Sequence, residues 1–200
     1  MVNIIFVFVL IAIISYLIGS LNFAIIFSLL IKKQDIRKYG SKNAGMTNIV
    51  RIYGAISGIP VFIGDFLKSI LAIYLCNFLF SDFLSLNKFG LYGNLIIGLA
   101  VIIGHLYPVY FKFRGGKGIV TSAGVILTQD IRFFITVLVV FLAFFLIFKI
   151  VAIASISAAV AYPISTLIFF NNFMIFIFAL IISSLVIYAH RSNIKKIINK

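Results

Sequence analysis

The chain has no glutamate, only four aspartates and a single cysteine in 200 residues. With Cys76 alone, an internal disulfide is excluded, and its place in an apolar run makes it a small packing or lipid-facing residue. Cysteine and histidine spacing suggests no metal site, and none is expected. Charge is scarce as well: 10% of residues are charged, against roughly 25% in an average soluble domain. Hydrophobic residues make up 64% of the chain and the mean hydropathy is +1.24. So few polar groups cannot cover that much apolar surface in water, which points to a polytopic membrane protein.

The charge that is present is lopsided, with 17 Lys and Arg against 4 acids and a net charge of +13. Such a balance suits nucleic acid, anionic lipid or an anionic substrate, and position decides between them. Fourteen of the cations fall in four clusters: Lys32, Lys33, Arg37, Lys38, Lys42 and Arg51; Lys112, Arg114 and Lys117; Lys149; and Arg191, Lys195, Lys196 and Lys200. Between them lie polar breaks poor in positive charge, at 81–88, 128–132 and 171–172. If basic clusters face the cytoplasm, the chain crosses once between each cluster and the next break. The expected fold class is therefore all-α, with seven transmembrane helices, the N terminus outside and the C terminus cytoplasmic, as a single domain over residues 1–200. No nucleic-acid partner is expected.

The expected spans are 3–31, 53–80, 89–108, 117–128, 133–148, 150–170 and 173–189. The fourth is short: a dozen residues rise only ~18 Å, so it must tilt, borrow from the preceding loop, or stay buried among neighbours. Lys149 alone separates the fifth and sixth, which predicts a tight turn there. The first segment lacks a basic start and is too long for a simple signal core, so it reads as a span. No linker or internal repeat is visible, and Pro60, Pro108 and Pro163 lie in or beside spans, as helix ends or kinks.

Residues 104–118 place Lys112, Arg114 and Lys117 among Gly115, Gly116 and Gly118 directly after an apolar segment. Glycine admits bare backbone N–H groups to a ligand and the cations add charge, a combination suited to holding an anion. Segment 40–51 is a second dense set of donors, with Ser41, Lys42, Asn43, Thr47, Asn48 and Arg51; its structural reading is a turn capped by Thr47 or Asn48. Ser155 lies among small residues that favour close helix packing. His190, Arg191, Ser192 and Asn193 close the last helix, where cations also suit the helix dipole. Asp65 and Lys68, three residues apart, read as a buried structural pair. His105 reads equally as a packing residue or a loop hinge.

In order and spacing, four segments resemble the successive motifs of the bacterial acyl-phosphate:glycerol-3-phosphate acyltransferases: Gly40 to Asn48, Gly104 to Gly118, Ala154-Ser155-Ile156 and His190 to Ile194. The likeness spans essentially the whole chain. Lys42, Met46, Arg114 and Ser192 depart from the usual pattern, and Ser192, where glutamate is common, weakens any mechanism that needs a carboxylate there.

The resemblance implies a single transmembrane catalytic domain with no cofactor. It would transfer a fatty acyl group from acyl phosphate to the 1-hydroxyl of glycerol 3-phosphate, giving lysophosphatidate and phosphate in phospholipid biosynthesis. The expected location is the bacterial cytoplasmic (inner) membrane, multi-pass, with the active site facing the cytoplasm and a functional link to a soluble acyl-phosphate-producing enzyme. Lys117, with the backbone of Gly115, Gly116 and Gly118, is expected to hold phosphate, assisted by Arg51, Ser41 and Asn193. Thr47 and Ser155 are further donors, and His190 is the better candidate for a general base, with Ser41 and Asn193 beside it in the catalytic set. On the residues alone two other classes stay open: a transporter of a phosphorylated metabolite, and a structural subunit that binds anionic lipid.

Overall fold

The computed structural model describes residues 4–81, 90–170 and 172–199. Among these every regular element is helical. The polar break predicted at 81–88 lies, apart from Ser81, outside the described residues, as do Asn171 and Lys200. The chain divides into two compact units, residues 1–125 and 126–200.

The first unit holds α1 (Ile4–Gly19), α2 (Phe23–Leu30), α3 (Met46–Tyr53), α4 (Ala55–Leu79), α5 (Gly90–Leu106) and the start of α6 (Ile119–Gln129), with single 3-10 turns at Ile36–Lys38 and Val109–Phe111. The predicted span 3–31 is two helices, α1 and α2, bent by 40°. The break has a local cause. The Asn22 side chain accepts the Ile25 amide at 3.0 Å and so caps a new helix. The backbone groups freed by the break are met from α4: Lys68 Nζ donates to the Leu21 carbonyl at 2.8 Å, and the Phe23 amide donates to Asp65 Oδ1 at 3.4 Å. An interrupted helix at membrane depth is tolerated only where protein satisfies its polar groups, which gives the buried Asp65–Lys68 pair its structural reason.

α1 and α5 pack backbone to backbone. A Cβ on Gly19 would lie 2.7 Å from the Val101 Cα, and one on Gly104 would lie 2.9 Å from the Ser20 nitrogen and closer still to the Tyr16 carbonyl. Small residues at such crossings replace the hydrophobic drive that lipid cannot supply. Around this contact Val7, Ile11, Ala72, Ile73, Cys76, Ile97 and Val101 form a buried cluster, with Cys76 Sγ 3.4 Å from the Ser15 hydroxyl.

The second unit holds α7 (Ile131–Phe148), α8 (Val151–Phe169), α9 (Phe173–Ala189) and α10 (Arg191–Ile198). Asp130 caps α7 by accepting the Arg132 amide at 2.8 Å, and the Arg132 guanidinium on the same carboxylate holds its pKa below the ordinary value. The turn predicted at Lys149 is present: its φ of 55° ends α7, and α8 starts two residues later. Asn172 caps α9, and the Ser183 hydroxyl ties α9 to the Ala159 carbonyl of α8 at 2.6 Å.

By length and composition, four helices among the described residues are fit to cross a membrane, or six if each bent pair, α1–α2 and α9–α10, counts as one span. The predicted fourth span is α6, whose 11 residues rise ~16 Å, about half of the hydrocarbon core.

Close packing of α1 on α5 sets a test. Gly104→Leu drives a side chain into the α1 backbone and should cost about 1–3 kcal/mol or more. Gly45→Ala meets only the Asn43 amide nitrogen at 3.0 Å and should stay within about 0.5 kcal/mol. Thermal unfolding of the two variants in one detergent checks the difference.

Candidate active site

Past Leu106 the chain leaves α5 at Pro108, makes one 3-10 turn, and reverses through Lys112 and Phe113, both left-handed at φ 58° and 57°. The reversal brings the glycines back onto the helix they left. The Gly115 amide donates to the Leu106 carbonyl at 3.1 Å and the Gly116 amide to the His105 carbonyl at 3.2 Å, satisfying carbonyls at the α5 C terminus. A Cβ on Gly115 would strike the His105 carbonyl and lie 2.7 Å from Pro108 Cδ. One on Gly116 would strike the His105 ring and crowd the Ala44 carbonyl. Gly118 needs its φ of 80°.

This corrects the expectation that the Gly115 and Gly116 N–H groups face an anion. Both are spent on α5, and these two glycines are required by close approach. The helix that follows, α6, begins at Ile119 directly after Lys117 and Gly118, and its first amides have no intrahelical acceptor. In that first turn the hydroxyls of Thr121 and Ser122 are buried and make no hydrogen bond among the described residues. Sequence reading passed over both, because nothing in their spacing shows that they are buried.

The other motif is shaped by two side chains. Arg37 grips both Asp35 oxygens, at 2.8 Å for the closest pair, and reaches across to the Phe111 carbonyl at 2.7 Å and the Arg114 carbonyl at 3.1 Å. The guanidinium holds the Asp35 carboxyl below its ordinary pKa. Asn48, expected as a cap, is instead a buried knot inside α3, whose N-cap is Gly45. Its Oδ1 accepts the Ser41 amide at 2.9 Å, while Nδ2 serves the carbonyls of Ile36, Tyr39 and Asn43 at 3.2, 3.1 and 3.1 Å. Thr47 and Arg51 stand one turn apart on α3, and both are exposed, as is Ser41.

Within the first unit the two motifs meet. Asn22 Nδ2 donates to the Ala44 carbonyl at 3.2 Å, that carbonyl faces Gly116, and Arg37 laces residues 35–37 to 111–114. Against the same turn lies a buried triad that spacing did not connect. Lys68 Nζ is 2.7 Å from Asp65 Oδ1 and 2.9 Å from His105 Nδ1, with Asp65 Oδ1 3.4 Å from that nitrogen.

In the second unit Ser155 is buried in the second turn of α8. His190 is buried where α9 gives way to α10, with Nδ1 2.8 Å from the Val186 carbonyl. A carbonyl only accepts, so Nδ1 carries the proton. The Asn193 amide donates to the His190 carbonyl at 2.8 Å, and Arg191 stacks on Tyr188 with its guanidinium carbon 4.3 Å from the ring centre.

Asn48→Ala strands the Ser41 amide and three carbonyls, and should cost about 1–3 kcal/mol. Thr47→Ala, on the exposed face, should change stability by less than about 0.5 kcal/mol. Thermal melts of both variants decide whether Asn48 holds the loop.

Comparison with known proteins gives the family. A family profile described as glycerol-3-phosphate acyltransferase matches residues 9–200. The chain is 43% identical over 190 residues to a glycerol-3-phosphate acyltransferase of Thermoanaerobacter sp. (strain X514), covering 95% of this chain and 91% of that protein. It is 38% identical over 192 residues to one from Finegoldia magna, covering 96% and 92%. Among solved structures it is similar to PlsY (YgiH), an integral membrane glycerol 3-phosphate acyltransferase. The glycerol 3-phosphate form superposes with a TM-score of 0.85 at 32% identity, and the lysophosphatidic acid form with 0.82 at 30%, each covering 96% of this chain and 92% of PlsY. This multi-pass membrane chain, an acyltransferase, belongs to the glycerol-3-phosphate acyltransferase family.

Proposed function

We propose that the protein transfers a fatty acyl group from acyl phosphate to the 1-hydroxyl of glycerol 3-phosphate, releasing phosphate and leaving lysophosphatidate in the membrane, the first acylation of phospholipid synthesis. The meeting of the two motif loops at Gly116 and Ala44 carries this reading, because it sets Lys117 and Gly118 at the start of α6 beside the loop that bears Ser41, Thr47 and Arg51. Glycerol 3-phosphate and lysophosphatidic acid, the compounds of the two PlsY forms, match the acceptor and product.

In this reading Lys117, Gly118 and Arg51 hold phosphate, with Ser41, Thr47, Ser155 and Asn193 as further donors. Gly115 and Gly116 shape the turn. The glycerol oxygen attacks the acyl carbonyl carbon, the bond from that carbon to the phosphate oxygen breaks, and phosphate departs. The proton goes to His190 or to the departing phosphate, with Ser41 and Asn193 beside the reaction. Acyl phosphate is already activated, so catalysis rests on positioning and on donors aimed at developing charge, worth roughly 3–4 kcal/mol each.

Residues 1–200 act as one catalytic domain in the bacterial inner membrane. Seven segments cross, α6 among them despite its length, with the N terminus outside and the C terminus and active site on the cytoplasmic side, where a soluble enzyme supplies acyl phosphate. The alternation of basic clusters with polar breaks supports this orientation.

Purified protein given acyl phosphate and glycerol 3-phosphate should form lysophosphatidate, with none from acyl-CoA; equal use of both donors contradicts the donor assignment. Lys117→Met should raise KM for glycerol 3-phosphate by about tenfold or more. His190→Ala with near-normal turnover in a folded protein removes His190 as the base.

A further inference from the structure

The histidine of the second motif has an unusual neighbour on each edge. Lys68 Nζ lies within 2.9 Å of three groups: Asp65 Oδ1, the Leu21 carbonyl and His105 Nδ1. Carboxylate and carbonyl only accept, and an ammonium has three N–H groups and no acceptor, so its third proton points at His105 Nδ1. Nδ1 must then hold a lone pair, and a neutral ring carries its proton on Nε2. A proton moved from lysine to histidine would oppose an intrinsic preference of about four pH units in favour of lysine. The other edge of the ring, Nε2 and Cε1, lies against Gly116 at the point where a Cβ would collide. His105 is 4% exposed, and among the described residues its Nε2 makes no hydrogen bond. Nε2 itself is not sealed from the surroundings, so its N–H, with no protein acceptor, is open to one from outside the chain.

We propose that Lys68, held by Asp65, locks His105 in the Nε2–H tautomer, and that this N–H donates to a phosphate oxygen of substrate at the Gly116 face. The second part rests on the acyl-transfer reading above; the first does not. Asp65 and Lys68 are positioning residues, acting through His105. The lock gives the turn a neutral donor of fixed direction. The tautomer is the reverse of that of His190, whose Nδ1 bears the proton. Glycerol 3-phosphate and acyl phosphate both present the phosphate oxygen this donor suits.

The chain has two histidines, so 15N-histidine NMR of the intact protein in detergent reads the lock directly. The expected spectrum, without substrate, shows one ring as a pure Nε2–H tautomer that disappears in His105→Gln, and inorganic phosphate shifts its N–H signal. A mixed or Nδ1–H ring overturns the lock, and a signal indifferent to phosphate overturns the donor role. Lys68→Met alone strands the Asp65 carboxylate and can prevent folding, so the test variant is Asp65→Asn with Lys68→Met. A single Nε2–H tautomer surviving there also overturns the lock.

Kinetics give a second readout. Gln offers an amide N–H near the Nε2 position, so His105→Gln should keep activity within about tenfold of the parent, while His105→Leu loses about 100-fold or more. A KM rise confined to glycerol 3-phosphate or to acyl phosphate identifies which substrate supplies the oxygen. Equal activities of the two variants overturn the donor. If acyl phosphate is no substrate while the pure tautomer is seen, the acyl-transfer reading fails and the lock stands.

Discussion

The return of Gly115 and Gly116 onto the carbonyls of Leu106 and His105 is the contact on which the rest of the first unit depends. A helix end buried in such a place needs its carbonyls satisfied, and here the chain's own next turn does it. That closure leaves room for a hydrogen atom and nothing larger at two consecutive Cα positions. It brings Gly116 against the Ala44 carbonyl and so joins the two polar loops, and it starts α6 with Lys117 and Gly118 at its mouth. Arg37 reinforces the arrangement from outside by donating to the carbonyls of Phe111 and Arg114, with its charge balanced by Asp35.

Beneath this turn a lysine, an aspartate and a histidine are buried together, at a cost in desolvation. Charges in a membrane protein's interior are retained where they do something apolar residues cannot. Lys68 and Asp65 satisfy the backbone at the break between α1 and α2, which no hydrocarbon side chain can do. The same lysine fixes one face of His105. One buried ammonium thus links the interrupted first helix, α4 and the end of α5, which is the side of the molecule where the glycine turn sits. The close backbone contact of α1 with α5 at Gly19 and Gly104 keeps these parts in register.

The helical class, the place of most helix ends and the two polar loops were legible in the letters. Lys149 was readable as a turn because a single lysine interrupts an otherwise continuous apolar run. The Asp65–Lys68 pair was readable because three residues bring two charges to one helical face. Other features were not. The break at Ser20 to Asn22 sits inside an apolar stretch, and although Asn22 caps the new helix locally, the freed Leu21 carbonyl is met by a tertiary hydrogen bond from Lys68 that spacing does not show. Asn48 looked like a cap because Asn is a good cap; its role as the loop's knot depends on a chain reversal that spacing does not encode. The Gly115 and Gly116 amides were expected to face a ligand because glycine-rich loops commonly do so, whereas here the glycines serve contact with α5 and with Ala44. His105 joins Lys68 across 37 positions, beyond any local pattern.

Gly116→Ala tests this account at its centre. The added methyl must displace the His105 ring or the Ala44 carbonyl, so the protein should keep its helical content while kcat/KM for glycerol 3-phosphate acylation falls by about 100-fold or more. A folded Gly116→Ala protein with activity within about threefold of the parent would show that the closeness of this turn does not set the active geometry.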